Sequence, residues 1–126
     1  MIMRRVLAMT VLLLGCSVVA RADILATGPM YGGSTQTQAI CYLFNAGTGP
    51  VTVTGNQIIR EPNTNLALSV DSCGVLAAGS SCGIAAVIVN NLAHSCKFVL
   101  SPSGADVRGV MEIRSSNAVL QNSNLR

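Results

Sequence analysis

The residues best able to do chemistry in this chain are five cysteines and a single histidine, His94. Any Ser-His-Asp or Cys-His mechanism would have to use that histidine, but no Gly-x-Ser-x-Gly elbow or matched acid accompanies it. The acidic residues are scattered, and nothing places two of them as a general acid and base. His94 ends an Asn-Asn-Leu-Ala-His segment that is typical of a loop before a strand, so we expect it to face solvent or to make local hydrogen bonds. The pattern predicts no catalytic residue, and a small hydrolase that uses His94 is kept as an alternative.

Four of the cysteines predict two disulfides. Cys41, Cys73, Cys82 and Cys96 lie beyond the N-terminal segment, and an even number in an exported domain is typical of a disulfide framework. The smallest spacing, from Cys73 to Cys82, is nine residues, whereas zinc sites usually contain a pair two to four residues apart. No Cys-x-x-Cys redox pair and no phosphate-binding glycine loop ahead of a helix is present. We therefore expect disulfides, no metal and no cofactor, with three pairings open from the count alone.

The first 22 residues have the layout of a bacterial secretory signal peptide. A short basic start carries Arg4 and Arg5, residues 6–14 are apolar and uncharged, and Ala20-Arg21-Ala22 supplies the small-x-small cleavage pattern. The apolar run is too short for a membrane anchor, which needs roughly 20 apolar residues. We predict cleavage after Ala22 and a periplasmic or extracellular protein.

A second cleavage site competes with the first. Residues 13–16, Leu-Leu-Gly-Cys, resemble a lipoprotein box, in which Cys16 would be lipidated and would anchor the protein to a membrane. The position before Gly15 is usually occupied by a smaller residue than leucine, and residues 17–20 lack the polar tether that lipoproteins typically have. Cleavage after Ala22 is therefore favoured, and a lipoprotein anchored through Cys16 is the alternative.

Removal of the signal peptide also removes the positive charge of the chain. The chain has eight basic and five acidic residues, and three of the arginines lie within residues 1–22. The mature domain keeps five basic and five acidic residues and is neutral. Nucleic-acid binding needs clustered positive charge, and attraction to anionic lipid needs the same. We expect neither nucleic acid nor an electrostatic membrane surface as a partner.

The mature chain predicts an all-β domain. Turn signals rich in glycine, proline, serine and asparagine recur every five to ten residues, and the intervening segments have strand length. Six or seven short strands without a convincing helix predict an antiparallel β-sandwich over residues 23–116. The polar residues 117–126 would add an edge strand or stay loose. The predicted strands are 37–45, 51–59, 66–70, 82–89, 95–100 and 107–114.

The aromatic residues offer one candidate contact. The first strand, 37–45, is apolar on both faces, which predicts a central strand covered on both sides with Tyr42 in the core. The chain has no tryptophan, so an aromatic platform for sugars is not indicated. Tyr31 is a possible surface contact, although Met30 and Tyr31 covering one edge of the sandwich is the favoured interpretation.

Segment 73–82, with the sequence CGVLAAGSSC, carries a family resemblance. It resembles the Cys-Gly…Leu-x-x-Gly-x-Ser-Cys clasp of bacterial immunoglobulin-like domains of the ASPM/SPD-2/Hydin type. Residues 44–51 are similar to the first hairpin of those domains and 107–114 to their closing strand, so the resemblance spans roughly residues 36–116 and departs at 94–98. It implies a seven-stranded immunoglobulin-like sandwich, the pair Cys73–Cys82 and with it the pair Cys41–Cys96, and no shared active site.

These observations predict a non-enzymatic exported domain. It would act in the cell envelope or outside the cell through contact with a protein partner. The alternative from a different class is a structural subunit of a pilus-like surface fibre, in which neighbouring subunits complete the edge strands. Native molecular size separates the two, because a fibre subunit forms concentration-dependent polymers.

Overall fold

The computed structural model describes residues 22–89 and 91–126. The predicted signal peptide, apart from Ala22, and the predicted lipidation site Cys16 lie outside the described residues. Within them the chain forms ten β-strands: β1 (Asp23–Ala26), β2 (Gln38–Asn45), β3 (Val51–Arg60), β4 (Thr64–Asn65), β5 (Val70–Asp71), β6 (Val75–Leu76), β7 (Ser81–Val87), β8 (His94–Ser101), β9 (Val107–Arg114) and β10 (Val119–Asn124).

The strands form two antiparallel sheets that pack together. The first sheet has the order β1-β8-β3-β4, and β6 pairs with the opposite end of β3; the second sheet has the order β10-β9-β2-β7-β5. Seven of the strands have four residues or more, and the other three have two each. The predicted all-β sandwich with two disulfides is confirmed.

The core lies where the alternating residues of the two sheets meet. In β8 every second residue is buried, and Phe98 and Leu100 are fully enclosed. In β9 Met111 and Ile113 are buried while Arg108 faces solvent. This period of two places one apolar set between the sheets and the other set outside, as expected for strands covered on one face.

The two disulfides connect different parts of the sandwich. Cys41 in β2 is bonded to Cys96 in β8, across the two sheets, with a Cα–Cα distance of 6.3 Å. Cys73, just before β6, is bonded to Cys82 in β7, with a Cα–Cα distance of 5.1 Å. These are the pairs that the resemblance implies. The first closes the middle of the core, and the second closes the turn between β6 and β7.

A buried asparagine holds the turn between β2 and β3. Asn45 is fully buried, and its side-chain amide donates hydrogen bonds to the carbonyls of Gly49 at 2.8 Å and Leu76 at 3.0 Å. Its side-chain oxygen accepts one from the Gly47 amide at 3.0 Å. The Asn-x-Gly pattern therefore joins this turn to β6, because a buried polar side chain must find partners.

The predicted strand 66–70 is wrong. Residues 66–69 are irregular and lie between β4 in the first sheet and β5 in the second. The Leu66 amide donates to the Ile58 carbonyl, and the Ser69 amide donates to the Ala85 carbonyl. The segment therefore crosses from one sheet to the other, and a crossing chain cannot keep one continuous ladder.

The C-terminal residues belong to the sandwich. β10 pairs antiparallel with β9 and forms one edge of the second sheet, which is the first of the two outcomes left open for residues 117–126. Leu125 then turns into the core and is buried. Arg126 exchanges two backbone hydrogen bonds with Ala26 of β1, at 3.0 and 3.1 Å. The two ends of the described chain therefore meet where the sheets adjoin.

Candidate functional site

The outer face of the second sheet is apolar. Tyr42 and Phe44 of β2 are 38% and 46% exposed, although their neighbours Cys41 and Leu43 are buried between the sheets. The prediction that β2 is covered on both sides, with Tyr42 in the core, is therefore wrong: within the described residues only the inner side carries a second sheet. We call this surface the apolar face and define it by the residues Ile40, Tyr42, Phe44, Val70, Val87 and Val110.

The apolar face has relief. The outward side chains of β2 are large and form a ridge along the strand, whereas β7, paired directly beside it, presents the small residues Ser81, Gly83 and Ala85 before it ends at Val87. A groove of about 410 Å³ lies over β7, bounded by the ridge on one side and Val70 on the other. The Tyr42 ring leans over β7 at Gly83, where an added Cβ would stand 3.3 Å from its Cδ1. The small residues of β7 thus create a depression next to the ridge.

A smaller groove lies on the other side of the ridge. Its volume is about 290 Å³, and its lining includes Phe44, Arg108, Val110 and Asn124. Val110 is the β9 residue paired with Tyr42, and Arg108 is the one paired with Phe44. The ridge therefore stands between two depressions, of which the one over β7 is larger.

The charges that border the apolar face are satisfied within the chain. The Arg108 guanidinium donates to the carbonyls of Ala105 at 2.8 Å and Val107 at 3.1 Å. Arg114 forms an ion pair with Glu112 at 3.2 Å. Arg114 is thus paired with an acid of the same chain, and the Arg108 guanidinium is held at the border by backbone carbonyls. The side chains between these borders are mainly apolar and dominate the recognition chemistry of this surface.

His94 lies in the interior and not in a loop. It is the first residue of β8, it is fully buried, and neither ring nitrogen has a hydrogen-bond partner among the described residues. The expectation that it faces solvent or makes local hydrogen bonds is therefore wrong. The reason is register: β8 begins at His94, and the inward alternation of Cys96 and Phe98 turns the imidazole toward the core.

The surroundings of His94 disfavour its charged form. Burial has the largest effect and lowers the pKa of the imidazole, and the nearby Arg60 charge lowers it further. The Leu92 carbonyl and the Glu61 charge raise this pKa, but their effect is smaller. The Leu92 carbonyl does not reach hydrogen-bond geometry with the ring. Within the described residues no serine, cysteine or carboxylate hydrogen-bonds to the ring. The arrangement therefore gives the hydrolase alternative neither an activated nucleophile nor solvent access at His94.

The other predicted residues are distributed over the molecule. Tyr31 is exposed in the segment between β1 and β2 and is not part of the apolar face. Cys41, Cys73, Cys82 and Cys96 are all used in disulfides. In the part of the chain that the structure describes, no three His, Cys, Asp or Glu residues are grouped so that they could hold a metal ion. The same residues contain no helix that is long and apolar enough to cross a membrane.

The apolar face is the feature that sequence reasoning missed. Its signal was present in the two-sided apolar pattern of β2 and in the run of apolar residues in β7. A two-sided pattern indicates that both faces are apolar, but it does not say whether a layer of the same chain covers both. Comparisons with protein-family models, with curated proteins and with solved structures find no match to this chain.

Proposed function

We propose that this chain is an exported protein-binding domain that contacts its partner through the apolar face. The observation that carries the proposal is the exposure of Tyr42 and Phe44 in the centre of an otherwise well-packed sheet. Together they leave on the order of 170 Å² in contact with water, taking about 200 Å² for each aromatic side chain. With the other members the face enters the range of about 300–600 Å² in which the largest patch of a monomer is often functional.

The energy available at this face fits a protein contact. Removing about 170 Å² of aromatic surface from water contributes about 4 kcal/mol at 25 cal/mol per Å². Aromatic residues in the centre of a patch, with charges at the border, are the arrangement found at protein interfaces. Because Arg108 and Arg114 are already satisfied within the chain, the proposal favours an apolar partner surface over an acidic one.

The proposed site of action is the bacterial envelope or the exterior of the cell, with a signal peptide cleaved after Ala22. The two disulfides support an oxidising compartment. Asp23, the expected first residue of the mature protein, opens β1, and its carboxylate accepts hydrogen bonds from the Gly104 amide at 2.7 Å and the Ser103 hydroxyl at 3.0 Å. The intact mass of protein from its native host distinguishes a chain beginning at Asp23 from one beginning at a lipidated Cys16.

The binding proposal is tested with a matched pair of variants. The mature protein, residues 23–126 with both disulfides formed, is immobilised and used to capture proteins from the envelope fraction of its host. Phe44→Ser removes an exposed aromatic residue from the apolar face, and Val75→Ser removes an apolar residue that is even more exposed, at 74%, from β6. We expect Phe44→Ser to lose partners that the parent and Val75→Ser retain. Equal capture by all three proteins would contradict the proposal.

A second candidate function, the structural subunit of a surface fibre, is favoured by β10. This edge strand has six residues, none of them charged and none a proline, and no other described strand pairs with its outer side. Natural sheets usually blunt such an edge with charges or proline. The edges at β4 and β5 are only two residues long, and Arg126 caps part of β1. Polymers that grow with protein concentration, seen by sedimentation and electron microscopy, would support this candidate, and a constant small mass would exclude it.

A further inference from the structure

We propose that the partner of the apolar face is a second copy of this chain, and that the two copies pack face to face with the ridge of each lying in the β7 groove of the other. The inference rests on the proposed function, because it uses the same surface. It adds the identity of the partner, the symmetry of the contact and the residues that meet.

The relief of the face is self-complementary. The ridge lies on β2 and the groove lies over β7, which is the adjacent strand of the same sheet. Neighbouring strands lie about 4.8 Å apart. A twofold axis parallel to the strands and midway between them places β2 of each copy over β7 of the other. Such a contact is isologous, because each copy supplies both the ridge and the groove. One pair of strands on a single chain therefore provides both halves of the interface.

The pairing within one sheet fixes which residues meet across the axis. Ile40 is paired with Ala85, and Phe44 with Ser81, in the ladder between β2 and β7. When β2 lies over β7 of the second copy, Ile40 faces Ala85 of that copy and Phe44 faces its Ser81. Large side chains thus meet small ones at these two positions, which is the interdigitation that packed sheets require at a separation of about 10 Å.

Electrostatics do not oppose the association. The border charges of the face are paired or hydrogen-bonded within their own chain, so their approach leaves none newly unpaired. The mature chain carries five basic and five acidic residues, so two copies have no net repulsion to overcome.

The size of the face sets the expected strength. The 31 residues of the five strands, each covering about 4.8 Å by about 3.3 Å, form roughly 500 Å² of sheet. A stable complex of standard size buries about 800 Å² on each partner, and weak or transient contacts bury less. The area therefore predicts a reversible dimer and not an obligate one, and a series of concentrations from about 1 to about 500 μM tests for it.

The test is sedimentation equilibrium of the mature protein, residues 23–126 with both disulfides formed, over that concentration range. Two variants place opposite charges at the residues that should meet: Phe44→Lys and Ser81→Glu. Both side chains are exposed, so each variant should fold with unchanged circular dichroism and without free thiols. We expect each variant alone to raise the dimer dissociation constant at least tenfold, and an equimolar mixture of the two to recover most of the lost affinity as a heterodimer.

The control is Val75→Glu, which adds a charge at an exposed residue away from the face and should leave the dissociation constant unchanged. A parent protein that stays monomeric throughout would overturn the second-copy proposal, while the capture experiment with Phe44→Ser still tests binding of another protein. A dimer that Phe44→Lys does not weaken would place the contact elsewhere, β10 being the first surface to examine. Weakening by both variants without recovery in the mixture would reject the twofold arrangement.

Discussion

The disulfide across the two sheets should stabilise the domain more than the disulfide at the turn. Cys41 and Cys96 are separated by 55 residues, whereas Cys73 and Cys82 are separated by 9. In the chain-entropy treatment, closing loops of these lengths stabilises the folded state by about 4 and about 2.5 kcal/mol at 25 °C. Cys41 and Cys96 are also buried, so replacing both with alanine removes core contacts as well.

The comparison uses two double variants, Cys41→Ala with Cys96→Ala and Cys73→Ala with Cys82→Ala. Urea unfolding followed by circular dichroism measures the free energy of unfolding, and mass spectrometry before and after alkylation shows that the remaining disulfide is formed. We expect a loss of at least about 4 kcal/mol for the first variant, because core contacts are removed as well, and of about 2.5 kcal/mol for the second. If loss of the Cys73–Cys82 bond costs as much as loss of the other, loop closure is not the main source of stabilisation, and the reasoning from separation fails.

Three other perturbations test the interior and the two ends of the chain. Burial holds the pKa of folded His94 below its ordinary value of 6.5, so the unfolded chain binds more protons below pH 6.5. The contribution of neutral His94 is therefore complete above pH 6.5 and decreases as the pH falls toward its folded pKa, by up to about 1.4 kcal/mol per pH unit. Urea titrations at pH 7.5 and 5.5 should show His94→Leu losing less stability over this interval than the parent, and parallel losses would contradict the assignment. Leu125→Ala should lower the free energy of unfolding by about 2–3 kcal/mol, because Leu125 is buried; a loss below about 0.5 kcal/mol, typical of surface positions, would mean that the C-terminal residues are not packed in solution. Asp23→Ala removes the acceptor for Gly104 and Ser103 and should cost about 1–2 kcal/mol in the same assay, and an unchanged stability would show that β1 is not held by this carboxylate.

Much of the strand architecture was predictable from alternation. The strand 107–114 has the predicted bounds. Its apolar and charged residues alternate, and Met111 and Ile113 lie inside while Arg108 lies outside. Segment 82–89 is predicted as a strand, and β7 occupies 81–87; its β-branched residues favour a strand. These segments alternate cleanly or lie within a single sheet, so local pattern and tertiary position agree.

The errors occur where tertiary position overrides local pattern. Residues 66–69 have strand-like composition but cross between the sheets, so their hydrogen bonds go to Ile58 on one side and Ala85 on the other. His94 has a loop-like neighbourhood, yet the register of β8 carries it into the core. Tyr42 belongs to an apolar strand, yet the side on which it lies is not covered by another layer among the described residues.

The class of the fold, the presence of two disulfides and most of the strand segments can be predicted from the sequence alone, because they follow from period-two patterning, turn residues and an even cysteine count. The assignment of strands to sheets requires the folded structure, because pairing partners are distant in sequence and many strand orders satisfy the same pattern. The apolar face depends on this assignment. β2 and β7 are neighbours with their large and small residues side by side, and the second sheet has one partner layer and not two among the described residues.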